Sequence, residues 1–402
     1  MALDLSRTAL QIDEMAADIQ AREGIRSQRL KAAVSAAQDF LIDDYLKKIQ
    51  GASATSWALP GIVGHPGEAI SAPPAYPDFF VVSADGSHID ANRHLPARCY
   101  VINTGVATLA YGVSPSAHLY STPRLYSSEQ EMVVRSPDAT HEQQVEGAVL
   151  GAKRSVEEIR ALTKEIRNTP SNTPTLGLLD GTLSLIGLAS QGYHDYVRKE
   201  LIEEGFALAL EEIGHLHKKR KLAVASYVSL PNHAEVIRAL RLTTCEYEED
   251  NLPRTCGYKG SVRAPCGSCV GGIRDRDLYA QLLLPGQRSM VFEATYPVIK
   301  NHYRGMSIGF FYLNAGEEIA RVEIPSWVAE DPESVNIVHS IALDQCRRGH
   351  GYPVALMEAH EQAVISGSDR KIFEDLLQQV LYAHSLPTYT SEKQRSKRLR
   401  WT

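Results

Sequence analysis

Between residues 79 and 241 the hydrophobic pattern alternates between two periods, and this alternation limits the fold more than any other feature. Short unbroken apolar runs suit buried strands, whereas apolar residues recurring every three or four positions suit one face of a helix. Strands are predicted over 79–84, 98–103 and 105–111, the last two close enough to form a meander. A long helix is predicted over 141–167, with Val145, Val149, Ala152, Val156, Ile159, Leu162 and Ile166 on one face. The segment Asn168-Thr-Pro-Ser-Asn-Thr-Pro174 ends it. A strand at 175–179, a helix over 193–218, a strand at 222–228 and a helix at 232–241 follow. The order is three strands, helix, strand, helix, strand, helix.

Two of these strands end in the same way. Phe79-Phe-Val-Val-Ser-Ala-Asp85-Gly-Ser87 and Thr175-Leu-Gly-Leu-Leu-Asp180-Gly-Thr182 are apolar runs closed by Asp-Gly and a hydroxyl residue. Gly permits a sharp turn where a strand stops, so each aspartate is expected at a strand tip. Asp-Gly is also ordinary turn chemistry. Two carboxylates on rigid strand tips nevertheless suit a hard divalent cation such as Mg²⁺ or Mn²⁺, which prefers oxygen ligands. The strand and helix order fits an α/β fold of the RNase H-like type, a mixed sheet flanked by helices. In that fold the acidic residues lie on the first strand and on the strand after the first helix, where Asp85 and Asp180 fall. Fold alone does not decide function.

The flanks bound the rest. Residues 8–50 carry Leu10, Ile12, Met15, Ile19, Leu30, Ala33, Ala37, Leu41 and Tyr45 at helical spacing, with Gly24 a candidate break. Residues 51–77 are rich in Gly, Ala, Ser and Pro and read as a linker. Strands are expected at 289–294, 306–313 and 318–324, and helices at 333–347 and 369–384. The division is therefore a helical segment at 1–50, a linker at 51–77, a main domain at 78–390 with a cysteine-containing insertion at 245–288, and a basic tail at 391–402. The net charge of −6 gives no global basic field for nucleic acid. The tail Glu392-Lys-Gln-Arg-Ser-Lys-Arg-Leu-Arg400 and the run His217-Lys-Lys-Arg-Lys221 are locally basic and suit either phosphate contacts or a solvated surface. No apolar run is long enough to span a membrane. The start, Met1-Ala-Leu-Asp-Leu-Ser-Arg, lacks the basic-then-apolar order of a secretory signal. A cytoplasmic protein is expected, whose cysteines are not a disulfide framework.

Cys245, Cys256, Cys266 and Cys269 lie close together, the last two as Cys-Gly-Ser-Cys. Such a knuckle can place two thiolates on a structural Zn²⁺, and an iron–sulfur cluster is an alternative. The spacing matches no standard finger, and free thiols or a local disulfide fit as well. Cys99 and Cys346 read as buried small apolar residues.

In sequence, the region from about residue 79 onward resembles the NurA nuclease domain family. The signposts are Asp85-Gly-Ser87, Tyr100-Val-Ile-Asn-Thr-Gly105, Leu178-Leu-Asp-Gly-Thr-Leu183, Ala225-Ser-Tyr-Val-Ser229, Arg321-Val-Glu-Ile-Pro325 and Gly351-Tyr-Pro-Val-Ala-Leu-Met-Glu-Ala-His360. The resemblance implies an RNase H-like fold, Mn²⁺ with Mg²⁺ as an alternative, and degradation of DNA from 5′ ends. It also implies single-strand endonuclease activity, a homodimer and docking on a hexameric HerA-type ATPase, in repair or antiviral defence. It implies a site made of Asp85, a glutamate on the following helix, Asp180, Tyr352 and His360. The glutamate is taken as Glu158, with Glu157 and Glu146 as alternatives. Asp85, Glu158, Asp180 and His360 are the implied metal ligands. Pro353 is expected to hold Tyr352 extended. His360 would bind metal or move a proton. Arg321 and Glu323 share a strand face and are expected to pair with each other or with the site. Arg288 is a candidate phosphate contact. The rival readings are a metal phosphoesterase acting on RNA or nucleotides, and a non-enzymatic adaptor of an ATPase ring.

Overall fold

The computed structural model describes residues 4–51, 58–91, 97–189, 192–245 and 265–386. Its chain divides into two compact units. One comprises residues 1–72, 229–295 and 310–321, the other 73–228, 296–309 and 322–402. Eight strands form one sheet in the order β3-β2-β1-β6-β7-β10-β9-β8. They are β1 (Phe79–Ile89), β2 (Tyr100–Tyr111), β3 (Ser116–Tyr126), β6 (Thr175–Asp180), β7 (Leu222–Val228), β8 (Phe292–Ala294), β9 (Ile308–Asn314) and β10 (Ile319–Pro325). The short β4 (Val133–Arg135) and β5 (Glu142–Gln144) pair separately.

In the second unit, β1 pairs antiparallel with β2, and β2 antiparallel with β3. β1 and β6 are parallel, as are β6 and β7. This order, with helix α3 (Gly147–Asn168) following the three antiparallel strands, is the RNase H-like arrangement. The burial of β6 and β7 is nearly continuous, as expected of parallel strands covered on both faces. Helix α4 (Leu208–His217) completes the connection from β6 to β7. Arg220, from the basic run, donates to the carbonyls of Ile166 and Thr169 and so satisfies the end of α3.

Three strand expectations change. The strands expected at 98–103 and 105–111 are one strand, β2, running through Gly105. Its hairpin partner β3 was not foreseen, because Ser-Ala-His-Leu-Tyr-Ser-Thr-Pro-Arg-Leu-Tyr has little unbroken apolar character. An edge strand tolerates this, including Pro123. β1 does not stop at Ala84 but continues to Ile89, so Asp85 lies in mid-strand and Gly86 is not a turn. Asp180 does end its strand, and Gly181 there has φ +83°.

The first unit holds α1 (Leu5–Gln38), α2 (Ile42–Gly51), α5 (Glu235–Thr243) and α6 (Asp275–Leu282). Gly24 does not break α1; one glycine costs only about 1 kcal/mol relative to alanine in a helix of this length. The break comes at Asp39 instead. Leu10, Ile12, Met15 and Ile19 are exposed, while Ala33 and Ala37 are buried. Arg321 is fully buried, pairs with Glu235, and lies 3.6 Å above the Phe310 ring. Asp275 accepts from Val236 N, Ile237 N and Tyr312 Oη, which ties α5 to α6 and β9. Arg288 is buried as well, donating to the Ser289 carbonyl, so it is not a surface phosphate contact. Among the described residues no helix is long and apolar enough to cross a membrane.

Three further helices close the second unit: α7 (Pro332–Arg348), α8 (Val354–Ala363) and α9 (Gly367–Ala383). Asp331 caps α7, and Ser366 with Asp369 forms a capping box on α9.

Candidate active site

The site is assembled on β1, β6, α3 and α8, all within the second unit. Asp85 and Gly86 are successive residues of β1, so they face opposite sides of the sheet. On the Asp85 side lies α8. Asp85 is directly opposite Gly105 of β2. A Cβ on Gly105 would stand 2.2 Å from the Ala359 carbonyl oxygen and 2.3 Å from the Ala363 nitrogen. The bare backbone at Gly105 is therefore what lets α8 lie flat on the sheet. Ser87 Oγ and Asn103 Nδ2 donate to carbonyls at the end of the helix, Asn103 to Ala363 at 2.9 Å. Seated this way, α8 brings His360 Nδ1 to 2.8 Å from Asp85 Oδ2. The His360 side chain remains 61% exposed.

On the Gly86 side lies α3. A Cβ on Gly86 would stand 2.6 Å from Glu158 Oε1. The second glycine of the motif thus makes room for a carboxylate rather than a turn. Glu158 is 8% exposed. Arg154 Nε is 2.9 Å from its Oε1, an ion pair set off the ideal hydrogen-bond direction. Burial pushes the Glu158 carboxyl up to about 8; Arg154 opposes this, and the charges of Asp85 and Asp180 add to it. Glu157 instead pairs with Arg160 at 3.3 Å, and Glu146 is exposed at the N-cap of α3. Lys153 lies over the Tyr126 ring at 5.0 Å rather than beside Glu158.

Asp180 closes the set from the tip of β6. Tyr352 Oη donates to its Oδ1 at 2.8 Å. Although Asp180 is solvent-accessible at the strand tip, the surrounding protein raises its pKa; Tyr352 opposes that shift and the Asp85 charge reinforces it. Tyr352 is held edge-on against Tyr227, 5.5 Å between ring centroids, and Pro353 directly precedes α8. The loop after Asp180 is fixed by Glu323, a fully buried residue of β10 whose Oε2 accepts from Thr182 Oγ1 at 2.7 Å and Leu183 N at 2.8 Å. Glu323 acts on that loop, whereas Arg321 is engaged with Glu235 in the other unit.

Each of the three carboxylates thus has a basic or donor side chain as partner: Arg154 for Glu158, His360 for Asp85, which also accepts from Gly86 N, and Tyr352 for Asp180. Among the described residues no three His, Cys, Asp or Glu side chains are drawn together tightly enough to cage a metal ion as they stand. The donor set is nonetheless carboxylate oxygen with one imidazole, a chemistry that suits a hard divalent cation. Of the cysteine cluster, Cys256 lies outside the described residues, and Cys266 Sγ accepts from Arg241 Nε at 3.2 Å. The basic tail at 391–402 also lies outside them.

Sheet order and strand directions define this chain as an RNase H-like protein. A family model, the NurA domain, matches residues 81–365, well over half of the chain. The chain belongs to the NurA domain family, and that membership supports a nuclease. No curated protein matches it significantly. Solved structures similar to it include NurA with manganese, at 11% identity and TM-score 0.35, covering 86% of this chain and 97% of that one. NurA bound to dAMP and manganese is similar at 12% identity and TM-score 0.36, covering 92% and 96%. Ciona intestinalis endonuclease V, in complex with a DNA containing an inosine followed by a ribo-adenosine, is similar at 13% identity and TM-score 0.27, covering 74% and 87%.

Proposed function

We propose that this chain is a Mn²⁺-dependent deoxyribonuclease that acts at DNA ends as a homodimer, fed by a HerA-type hexameric ATPase. The observation that carries the reading is that Asp85 and Asp180 lie near enough to Glu158 for their charges to help raise the pKa of its buried carboxyl. Asp85, Glu158 and Asp180 would hold the metal, with Mg²⁺ an alternative and His360 a further ligand. When bound, a divalent ion supplies charge relief at the scissile phosphate and a water of lowered pKa.

The chain's own residues do the rest. Asp85 fixes the His360 ring through Nδ1, which leaves Nε2 on the accessible side of an exposed ring. With Asp85 ionised, Nδ1–H donates and Nε2 is a proton acceptor, suited to moving a proton to or from a reacting oxygen. Tyr352 orients the Asp180 carboxylate and keeps it more acidic than burial alone would leave it. Glu323 anchors the backbone that follows Asp180 and so fixes where that carboxylate stands.

The test is cleavage of end-labelled single- and double-stranded DNA and of RNA by the purified chain, with Mn²⁺, Mg²⁺ or chelator. The assay is run with and without a HerA-type ATPase. DNA cleavage that requires Mn²⁺ and is lost in Asp85→Asn is expected. Undiminished cleavage by Asp85→Asn, or cleavage in chelator, would overturn the assignment.

A further inference from the structure

Next to the carboxylates, on the same face of the sheet as α3, lies a cavity of about 230 Å³ between α3 and strands β2 and β3. Its position is set by register: Thr104, on its floor, pairs across β1–β2 with Gly86 and across β2–β3 with Thr122. The cavity therefore begins one strand outboard of the glycine that accommodates Glu158. At about 5 Å per strand it extends roughly 10 Å from the carboxylates.

Its chemistry is uneven. Ile102 and Val106 give the floor an apolar part beside Thr104, Thr122 and Tyr120, while Arg124, Arg160 and Lys164 also line it. Among the described residues Glu157 is the one carboxylate lining it, and it is already paired with Arg160. Lys164 is exposed and makes no hydrogen bond or ion pair among the described residues. The Arg124 guanidinium, paired with Glu131 at 3.3 Å, lies over the Tyr126 ring with its carbon 4.5 Å from the centroid, and a planar guanidinium is a stacking surface for a base. Tyr126 is 2% exposed, lines the cavity, and its buried hydroxyl has no hydrogen-bond partner among the described residues. A buried hydroxyl left unsatisfied is uncommon and costs about 1–3 kcal/mol. An acceptor entering the cavity would satisfy it. Burial keeps this phenol neutral, so it is a donor.

We propose that this cavity is a nucleobase pocket that holds one unpaired base of a single-stranded DNA segment leading to the carboxylates. The base stacks on Arg124, a base carbonyl accepts from Tyr126, and Lys164 with Arg160 meets the adjoining phosphate. The volume suits one flat ring system and falls below the roughly 300–1,000 Å³ of sites for larger ligands. This inference rests on the nuclease reading for its substrate class, but it makes a demand of its own: the protein distinguishes a strand with bases from one without.

The experiment uses the full chain in chelator, so that binding is read without cleavage. Fluorescence anisotropy compares a short labelled oligodeoxythymidylate with the same backbone carrying abasic sites. The base-containing strand is expected to bind about tenfold tighter or more, in line with one stacked base. Lys164→Glu and Ala161→Leu, the second filling the cavity from the surface of α3, are each expected to weaken the base-containing strand. Ala161→Leu is expected to abolish the preference over the abasic strand. Equal affinity of the wild-type chain for the two strands would overturn the pocket without depending on any variant's folding. So would wild-type affinity and preference in a folded Ala161→Leu. Failure of the nuclease reading is separable: it would show as no DNA product with Mn²⁺, whatever the binding result.

Discussion

Substituting Glu158 by Gln in the metal-free protein tests the electrostatics of the site most directly. The Glu158 carboxyl moves from an ordinary value of 4.5 up to about 8, with burial as the main cause. The folded chain therefore binds a proton that the unfolded chain releases once pH exceeds about 4.5. Stability contributed by the protonated group is complete below that value, declines as pH rises, and has been lost by about pH 8. Each pH unit in that window is worth about 1.4 kcal/mol. The accumulated cost is about 3 kcal/mol at pH 7 and about 5 kcal/mol above pH 8. Glu158→Gln keeps the shape and removes the titration. In chelator the variant should match the wild type near pH 4, exceed its stability by about 3 kcal/mol at pH 7, and level off above pH 8. Urea unfolding midpoints of both proteins from pH 4 to pH 9 read this difference. Mn²⁺ should then reverse it, stabilising the wild type and leaving the variant unmoved. A difference that stays flat with pH, or a variant less stable than wild type at pH 8 without metal, would refute the reasoning.

Other expectations concern the seating of the site. Gly105→Ala should lower the melting temperature and abolish DNA cleavage, because its Cβ meets the Ala359 carbonyl oxygen and must lift α8; overpacking of this kind costs about 1–3 kcal/mol. Tyr352→Phe removes the donor that lowers the Asp180 pKa, so the acid limb of the kcat/KM profile should move to higher pH. His360→Gln should reduce kcat by about 10²-fold or more if the ring transfers a proton, with Mn²⁺-dependent thermal stabilisation largely retained. Glu323→Ala leaves Thr182 Oγ1 and Leu183 N without their acceptor and should cost about 2–3 kcal/mol in urea unfolding, with a fall in activity.

The sequence made the strand and helix order readable because long apolar runs and helical periodicity survive without tertiary context. Two glycines were misread for one physical reason. Gly86 and Gly105 look like strand ends when seen alone, yet both are mid-strand positions where another element presses in, Glu158 at one and the α8 backbone at the other. A glycine inside a strand pattern carries that second meaning, and only the partner's position separates the two. β3 was missed because an edge strand buries little; nine of its eleven residues are exposed, so it has no apolar run to read. The choice among Glu146, Glu157 and Glu158 could not be made from spacing, since adjacent helical residues look alike in sequence. In the structure they separate into an exposed cap, a surface ion pair and a buried carboxylate. The expectation that Pro353 holds Tyr352 extended points away from a helix, yet Pro353 stands at the N-terminus of α8, a position that suits proline.

The individual partners of the three carboxylates change what metal loading means for this protein. If the proposed site takes a divalent ion, that ion would compete with the guanidinium, imidazole and phenol that now hold the carboxylates. Affinity is then a difference between two sets of attractions. Weakening Arg154 would tighten the grip on manganese, although that residue is no ligand itself. Residues bordering the ligands thus become the dial that sets how readily the ion exchanges.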